Sequence, residues 1–348
     1  MTVDLLQAFK DMNFGSDNDE GMTLNGRVLI VDGMNTFIRS FAAIPTMDSN
    51  GNHIGGITGF LKSVGYAIRN FKPSRVFVVF DGKGGSRRRK KIYPEYKGER
   101  KAPMTRLNRA HGGIAEAEDE QNFMKYELVV LAKLLQYLPI TIITLDYVEA
   151  DDIIAYLAEL TVNEGGEAII YSTDKDFIQM VDDETRIKVW NPVRKKTYTV
   201  ESVLEDYGIH PHKWLMYRAI TGDKSDNIDG VKGVGIKTLL KEFPYFAEPN
   251  FVYLQQIEQE ATYSKRKAIR QLAESRDLLE RNLRLMQLAD INISDSNKMI
   301  VLGRFRDNPP KFRKTGLTKE LIHYNLLDAM GNYDLWVTQT FTPLTRFN

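Results

Sequence analysis

Three apolar, β-rich runs in this chain each end on an aspartate: VLIVD at Asp32, VFVVFD at Asp81 and AIIYSTD at Asp174. Such runs, separated by amphipathic helices, fold as a parallel sheet, and a parallel sheet collects its ligands at the carboxyl ends of its strands. Three carboxylates placed there share one small volume. Two of them about 5 Å apart repel by roughly 3 kcal/mol at an effective dielectric of about 20, so the pattern calls for a cation.

Composition narrows which cation. The chain has no cysteine, which excludes disulfides, thiolate nucleophiles and thiolate zinc sites. Its five histidines are scattered, two of them in His210-Pro211-His212, and form no metal-ligand pattern. Oxygen ligands alone select Mg²⁺ or Mn²⁺. At 348 residues, 43% hydrophobic and 27% charged, the chain reads as globular, with one large core or two smaller ones. No apolar run reaches the length of a membrane span, and the acidic start of the chain lacks the pattern of a secretory signal.

A net charge of +1 taken alone argues against a nucleic-acid partner, but the charge is segregated. Arg87, Arg88, Arg89, Lys90, Lys91, Lys97, Arg100 and Lys101 crowd one stretch, and Lys265, Arg266, Lys267 and Arg270 form a second basic run. Local sign, not the total, is the useful quantity.

Along the chain, residues 1–26 read as an extension. The alternation then predicts strand 27–32, helix 56–71, strand 75–81, helix 122–138, strand 140–145, helix 149–163 and strand 167–172, with a strand pair at 186–190 and 197–200. This sets an α/β core over 27–200, interrupted by a stretch without a core face at about 82–121. Helices at 201–207, 211–221, 236–243 and 265–289 make a helical unit over 201–290. Residues 291–348 take no clear assignment, with a strand or docking tail from Leu335.

Further acids fall at element ends: Glu149, Asp151 and Asp152 at a helix start, Asp176 just after Asp174, and Asp223 and Asp226 in GDKSDN. Each alone has a mundane reading as a helix cap, a macrodipole partner or a turn residue. Those readings do not predict that all fall at successive element ends. A cluster of seven or more carboxylates persists only with divalent ions to neutralise it. Two Mg²⁺ about 4 Å apart suit it and would support hydrolysis of a phosphodiester by metal-held water.

The basic stretch follows Asp81 directly and interleaves its cations with Tyr93 and Tyr96, a mixture suited to phosphate neutralisation and base stacking. Farther on, Gly230, Lys232, Gly233, Gly235 and Lys237 lie in GVKGVGIK, a glycine hairpin opening a helix. No strand is expected before it and no Gly-Lys-Ser/Thr closes it, so it is neither a dinucleotide fingerprint nor a P-loop. Its glycines let backbone N–H groups approach a phosphate.

Taken in order, VDGMN, FDGKGG, YPEYKGER, VEADDIIA, STDKDF, TGDKSDNIDGVKGVGIKT and ERNLRLM resemble the flap endonuclease/5′-nuclease family, stand-alone phage or bacterial members most of all. The resemblance covers about residues 27–286. It implies a PIN-like core, a mostly parallel sheet flanked by helices, with a helical arch and a C-terminal helix–three-turn–helix unit. It assigns Asp32, Asp81, Glu149 and Asp151 to a first metal site and Asp152, Asp174, Asp176, Asp223 and Asp226 to a second. Lys97 and Arg100 take the place of cations on the scissile phosphate. Tyr96 stands where an aromatic stacks on the flipped-out end, and the hairpin, with Lys237, grips duplex DNA around a K⁺ ion. The implied cofactor is a pair of Mg²⁺ ions, replaceable by Mn²⁺. The implied substrates are DNA flaps, nicks and RNA primers. The protein is expected to be a cytoplasmic monomer in a bacterium or phage-infected host, working beside a single-stranded-DNA-binding or other replication protein, with no membrane role. The alternatives are a PIN-type ribonuclease and an inactive structure-specific DNA-binding protein.

Overall fold

The computed structural model describes residues 26–98, 117–288 and 293–347. Its first half alternates strand and helix: β1 (Arg27–Asp32), α1 (Gly33–Ala43), α2 (Gly55–Phe71), β2 (Arg75–Asp81), α3 (Arg87–Ile92), α4 (Ala117–Leu135), β3 (Thr141–Leu145), α5 (Ala150–Asn163), β4 (Glu167–Tyr171), β5 (Ile187–Asn191) and β6 (Lys196–Tyr198). The sheet order is β3-β2-β1-β4-β5-β6. All neighbours are parallel except the β5–β6 edge pair.

The strands are apolar because both faces are covered. In β1, Val28 and Ile30 point into one core, with α5 and the helical half of the chain. Leu29 and Val31 point into the other, with α1, α2 and α4. This period-2 division is what a fully buried parallel strand requires. The chain leaves β1 toward β2 and β3, then returns to β4 on the other side of β1. The crevice between β1 and β4 is therefore the topological switch point, where an open α/β sheet binds its ligands.

The second half is helical: α6 (Val200–Tyr207), α7 (Trp214–Thr221), the two-residue strands β7 (Gly222–Asp223) and β8 (Ile228–Asp229), α8 (Ile236–Glu242), α9 (Leu254–Thr262), α10 (Lys267–Ala273) and α11 (Arg276–Met286). The single helix expected over 265–289 is two helices. Between them the Ser275 hydroxyl donates to the Gln271 carbonyl at 2.5 Å, a local bond that competes with helix propagation.

Residues 293–347 also differ from expectation. They form α12 (Asp295–Arg306), α13 (Lys314–His323) and α14 (Tyr333–Thr340), so the stretch from Leu335 is helix, not strand. α12 lies on the α5 side of the sheet, where Phe305 stacks on Phe77 at 5.9 Å. Buried Arg75 donates to the carbonyls of Phe305 (2.6 Å) and Arg304 (2.9 Å), and burial pushes its pKa down to about 10. α13 and α14 cover the opposite face with Leu317, Leu321, Trp336 and Val337. The segment thus closes both cores.

Phe305→Ala should lower stability by about 3–5 kcal/mol, the usual cost of emptying a buried aromatic site. Urea unfolding checks this; a loss below about 1 kcal/mol would mean that α12 is not part of the cooperative core.

Candidate metal and nucleic-acid site

Asp32 ends β1 and also caps α1, its Oδ1 accepting from the Asn35 N–H at 3.0 Å. Its other oxygen accepts from the Ser172 hydroxyl at 2.9 Å, so the loop after β4 orients the carboxylate at the end of β1. The capping reading and the convergence reading hold together at this residue. Asp81 ends β2 and accepts from the Ala150 N–H at 2.9 Å, tying it to the start of α5. Asp174 lies beyond the end of β4 and accepts from the Asp176 N–H at 2.8 Å.

Asp32, Asp81, Asp151 and Asp174, with Lys97, line one cavity of about 680 Å³ at the switch point. Asp151, Asp176 and Asp226 line a narrow cleft beside it. Asp151 belongs to both, so the two groups of acids adjoin. Their electrostatics record the crowding. Burial first, then the Asp174 and Asp81 carboxylates, push Asp32 up to about 7, against the opposing bonds from Asn35 and Ser172. Burial and Asp174 push Asp176 up to about 7, against Arg218. Asp151 is raised by burial, Asp174 and Asp32, and Asp174 by burial and Asp226.

Cations hold the remaining acids. Burial opposes ionisation of Glu149, but Arg89 and Lys97 outweigh it and keep the carboxyl below its usual range. Lys97 Nζ lies 2.6 Å from Glu149 Oε1. Arg218 donates to Asp176 at 2.8 Å and also to Asp223. Against burial, that contact and Ser225 hold Asp223 low.

Several expectations need correction. Both oxygens of Asp152 accept from Arg89, at 2.9 and 3.0 Å, and Arg88 adds a third cationic donor. Asp152, only 3% exposed, is therefore held between two guanidiniums at the start of α5. Arg89 itself is only 3% exposed and also donates to the Leu285 carbonyl at 2.7 Å; it is an internal strut, not a nucleic-acid contact. Tyr96 is likewise 3% exposed. Its hydroxyl reaches Glu149 (3.3 Å) and Asp226 (3.2 Å), so its ring is closed to base stacking. Tyr93 is half-buried, with the Arg281 guanidinium 4.2 Å above its ring.

Arg87, Lys90 and Lys91 are exposed and Arg88 is half-buried. Arg100, with residues 99–116 of the expected arch, lies outside the described residues. The glycine hairpin presents Lys232, Gly233, Gly235 and Lys237 on the surface. The two-residue β8 does precede it, contrary to expectation, but pairs antiparallel with β7 and so makes no βαβ unit. Gly230 is required by close approach: a Cβ there would fall 2.2 Å from the Thr221 carbonyl carbon. Ser172 and Arg218 were not singled out from sequence. Ser172 opens the STDKDF motif; Arg218 carries no signal beyond lying in a helix next to GDKSDN.

The family described as 5′-3′ exonuclease, N-terminal resolvase-like domain, matches residues 27–208. The chain belongs to this family. It is 36% identical over 213 residues to a 5′-3′ exonuclease of Aquifex aeolicus, covering 61% of this chain and 66% of that protein. It is 36% identical over 217 residues to the thermostable DNA polymerase I of Thermus thermophilus, covering 62% of this chain and 24% of the polymerase. The matched stretch is thus under two thirds of either relative's length. Among solved structures, a bacteriophage T5 flap endonuclease complexed with DNA and metal ions aligns with TM-score 0.60 at 22% identity, covering 85% of this chain and 98% of that one. The T5 5′-exonuclease with bound zinc aligns with TM-score 0.58 at 21% identity, covering 85% and 98%. These likenesses establish the fold: the mostly parallel sheet with flanking helices expected from the sequence is present.

Among the described residues no three His, Asp or Glu side chains close tightly enough around one point to ligate an ion as they stand. The donor chemistry nevertheless fits a hard divalent cation. The acids facing the cavity are all oxygen donors, burial and neighbouring carboxylates raise the pKa of Asp32, Asp151 and Asp174, and Lys97 and Arg218 draw the adjoining Glu149, Asp176 and Asp223 into ion pairs.

A carboxyl raised to about 7 when folded, as for Asp32 and Asp176, holds its proton more tightly folded than unfolded. Stability of the metal-free protein therefore falls as pH rises from about 4 to about 7, while the lowered Glu149 and Asp223 act only below that window. Mg²⁺ should displace those protons and raise the melting temperature more at about pH 8 than at about pH 5. Thermal melts with and without Mg²⁺ test this, and an equal gain at both values would contradict the shared-cation reading.

Proposed function

We propose that the protein is a divalent-metal-dependent, structure-specific 5′ nuclease, cutting 5′ flaps and trimming 5′ ends or RNA primers on duplex DNA in replication or repair. The observation that carries this is the convergence of Asp32, Asp81, Asp151 and Asp174, with Lys97 beside them, in one cavity at the switch point.

In this reading Asp32, Asp81, Glu149 and Asp151 hold one ion, and Asp152, Asp174, Asp176, Asp223 and Asp226 a second, directly or through water. Mg²⁺ held by such oxygens, or Mn²⁺ in its place, supplies a water of lowered pKa and neutralises charge developing on the phosphodiester. The chain's own groups do the rest. Ser172 fixes the Asp32 carboxylate by the hydroxyl bond described above. Lys97, kept charged by Glu149, Asp151 and Asp226 against its burial, donates to the scissile phosphate, and Arg100 shares that task. Arg87, Lys90 and Lys91 are exposed to receive the single strand. The hairpin meets the duplex backbone through its open glycine amides, with Lys232 and Lys237 flanking them and a K⁺ ion as the implied companion. No helix among the described residues is long and apolar enough to cross a membrane. A cytoplasmic monomer acting beside a single-stranded-DNA-binding protein fits this reading.

A Mg²⁺-dependent cleavage assay on a 5′ flap, a nicked duplex and single-stranded RNA of equal length should show the flap cut fastest. RNA cut fastest would favour a ribonuclease, and no cutting a binding protein. Replacing Asp174 and Asp176 together with Asn should abolish cleavage yet leave flap binding within about tenfold. Lys97→Ala should slow turnover by about 10²–10³, the range for a lost transition-state donor. A near-normal rate for either variant removes its assignment.

A further inference from the structure

We infer that Asn227 is a positioning residue that couples the glycine hairpin to Lys97. This rests on the nuclease reading above and deepens it. The turn Tyr93–Gly98 and the turn from Lys224 to Asn227 are far apart in sequence but bound to each other by three hydrogen bonds. The Lys97 N–H donates to the Asp226 carbonyl at 2.9 Å. The Asn227 side-chain amide donates to the Glu95 carbonyl at 3.0 Å. The Tyr96 hydroxyl donates to the Asp226 carboxylate at 3.2 Å.

Both turns pass through the left-handed region, with φ 56° at Lys97 and φ 59° at Asn227. That region is unfavourable for lysine, so the contacts around Lys97 must hold it there. Asparagine tolerates it and adds a donor. Asn227 leads directly into β8 and then Gly230. Only two residues, Ile228 and Asp229, therefore separate the hairpin from the amide that grips the carbonyl two positions before Lys97. Seating the hairpin on a duplex fixes Asn227, and Asn227 fixes the turn whose lysine lies 2.6 Å from Glu149 in the acidic cluster.

The residue type follows from this. Glycine would supply the conformation without the donor, and aspartate would set a carboxylate against the Glu95 carbonyl. Asn227→Gly thus removes the coupling bond without adding backbone strain. Single-turnover cleavage of flap DNA at saturating enzyme should fall about tenfold in Asn227→Gly, with Kd, measured with Ca²⁺ in place of Mg²⁺, within about twofold of the parent. Asn227→Asp should fall at least as far, and it serves as the reading if the glycine variant does not fold. In a Lys97→Ala background, Asn227→Gly should have no further effect. A rate within about twofold of the parent, or the same fold-loss with and without Lys97, overturns the coupling.

Hydrogen exchange at the Lys97 amide, which donates to the Asp226 carbonyl, reads the same junction between the two turns without cleavage. It should quicken about tenfold or more in Asn227→Gly, and unchanged exchange overturns the inference. The parent enzyme's flap cleavage reports separately on the nuclease reading, so the two can fail independently.

Discussion

Mutual repulsion among carboxylates at one rim of the sheet is the constraint on which the rest of this structure depends. The strand order brings Asp32 and Asp174 to either side of the switch point, and Asp81 and Asp151 close the same cavity. Burial and like charge then drive Asp32 and Asp176 to about 7. An arrangement that costs this much electrostatically is sustained by positive charge, and the surrounding architecture supplies it in graded form. Arg89 is fully internal and holds Asp152 and Glu149. Arg218 spans Asp176 and Asp223. Lys97, half-buried, stands at the edge of the cavity where it can serve both the acids and an incoming phosphate.

The same organisation ties three parts of the chain together. α11 is a hub: buried Asn282 donates to the carbonyls of Ala219 and Asp229, while the Leu285 carbonyl receives Arg89. Arg281 covers Tyr93. The helix carrying ERNLRLM therefore braces both the strand leading into the glycine hairpin and the base of the basic segment. An element outside the cavity sets the relative placement of the residues inside and beside it.

How much of this was legible in the sequence follows from the range of each interaction. The strands β1, β2 and β4 could be read because burial on both faces makes their apolar runs continuous, and β3 and β5 because β-branched and aromatic residues dominate them. The acids at their ends could be read because topology alone puts them together. α1 was missed, since its start coincides with the Asp32 motif, and the break at Ser275 depends on one hydroxyl bond. The terminal helices were obscure because their partners, Phe77 and Arg75 for α12, lie more than two hundred residues away. Arg89 and Tyr96 misled for a related reason. A basic, aromatic stretch reads as a surface until Glu149 and Asp152 are seen beneath it.

The central claim is that these carboxylates are brought together to share divalent cations. Anomalous scattering from crystals grown with Mn²⁺ tests it most directly. The account predicts metal density in the cavity bounded by Asp32, Asp81, Asp151 and Asp174 and in the adjoining cleft of Asp176 and Asp226. Density found only elsewhere on the surface, or none at millimolar Mn²⁺, would contradict it.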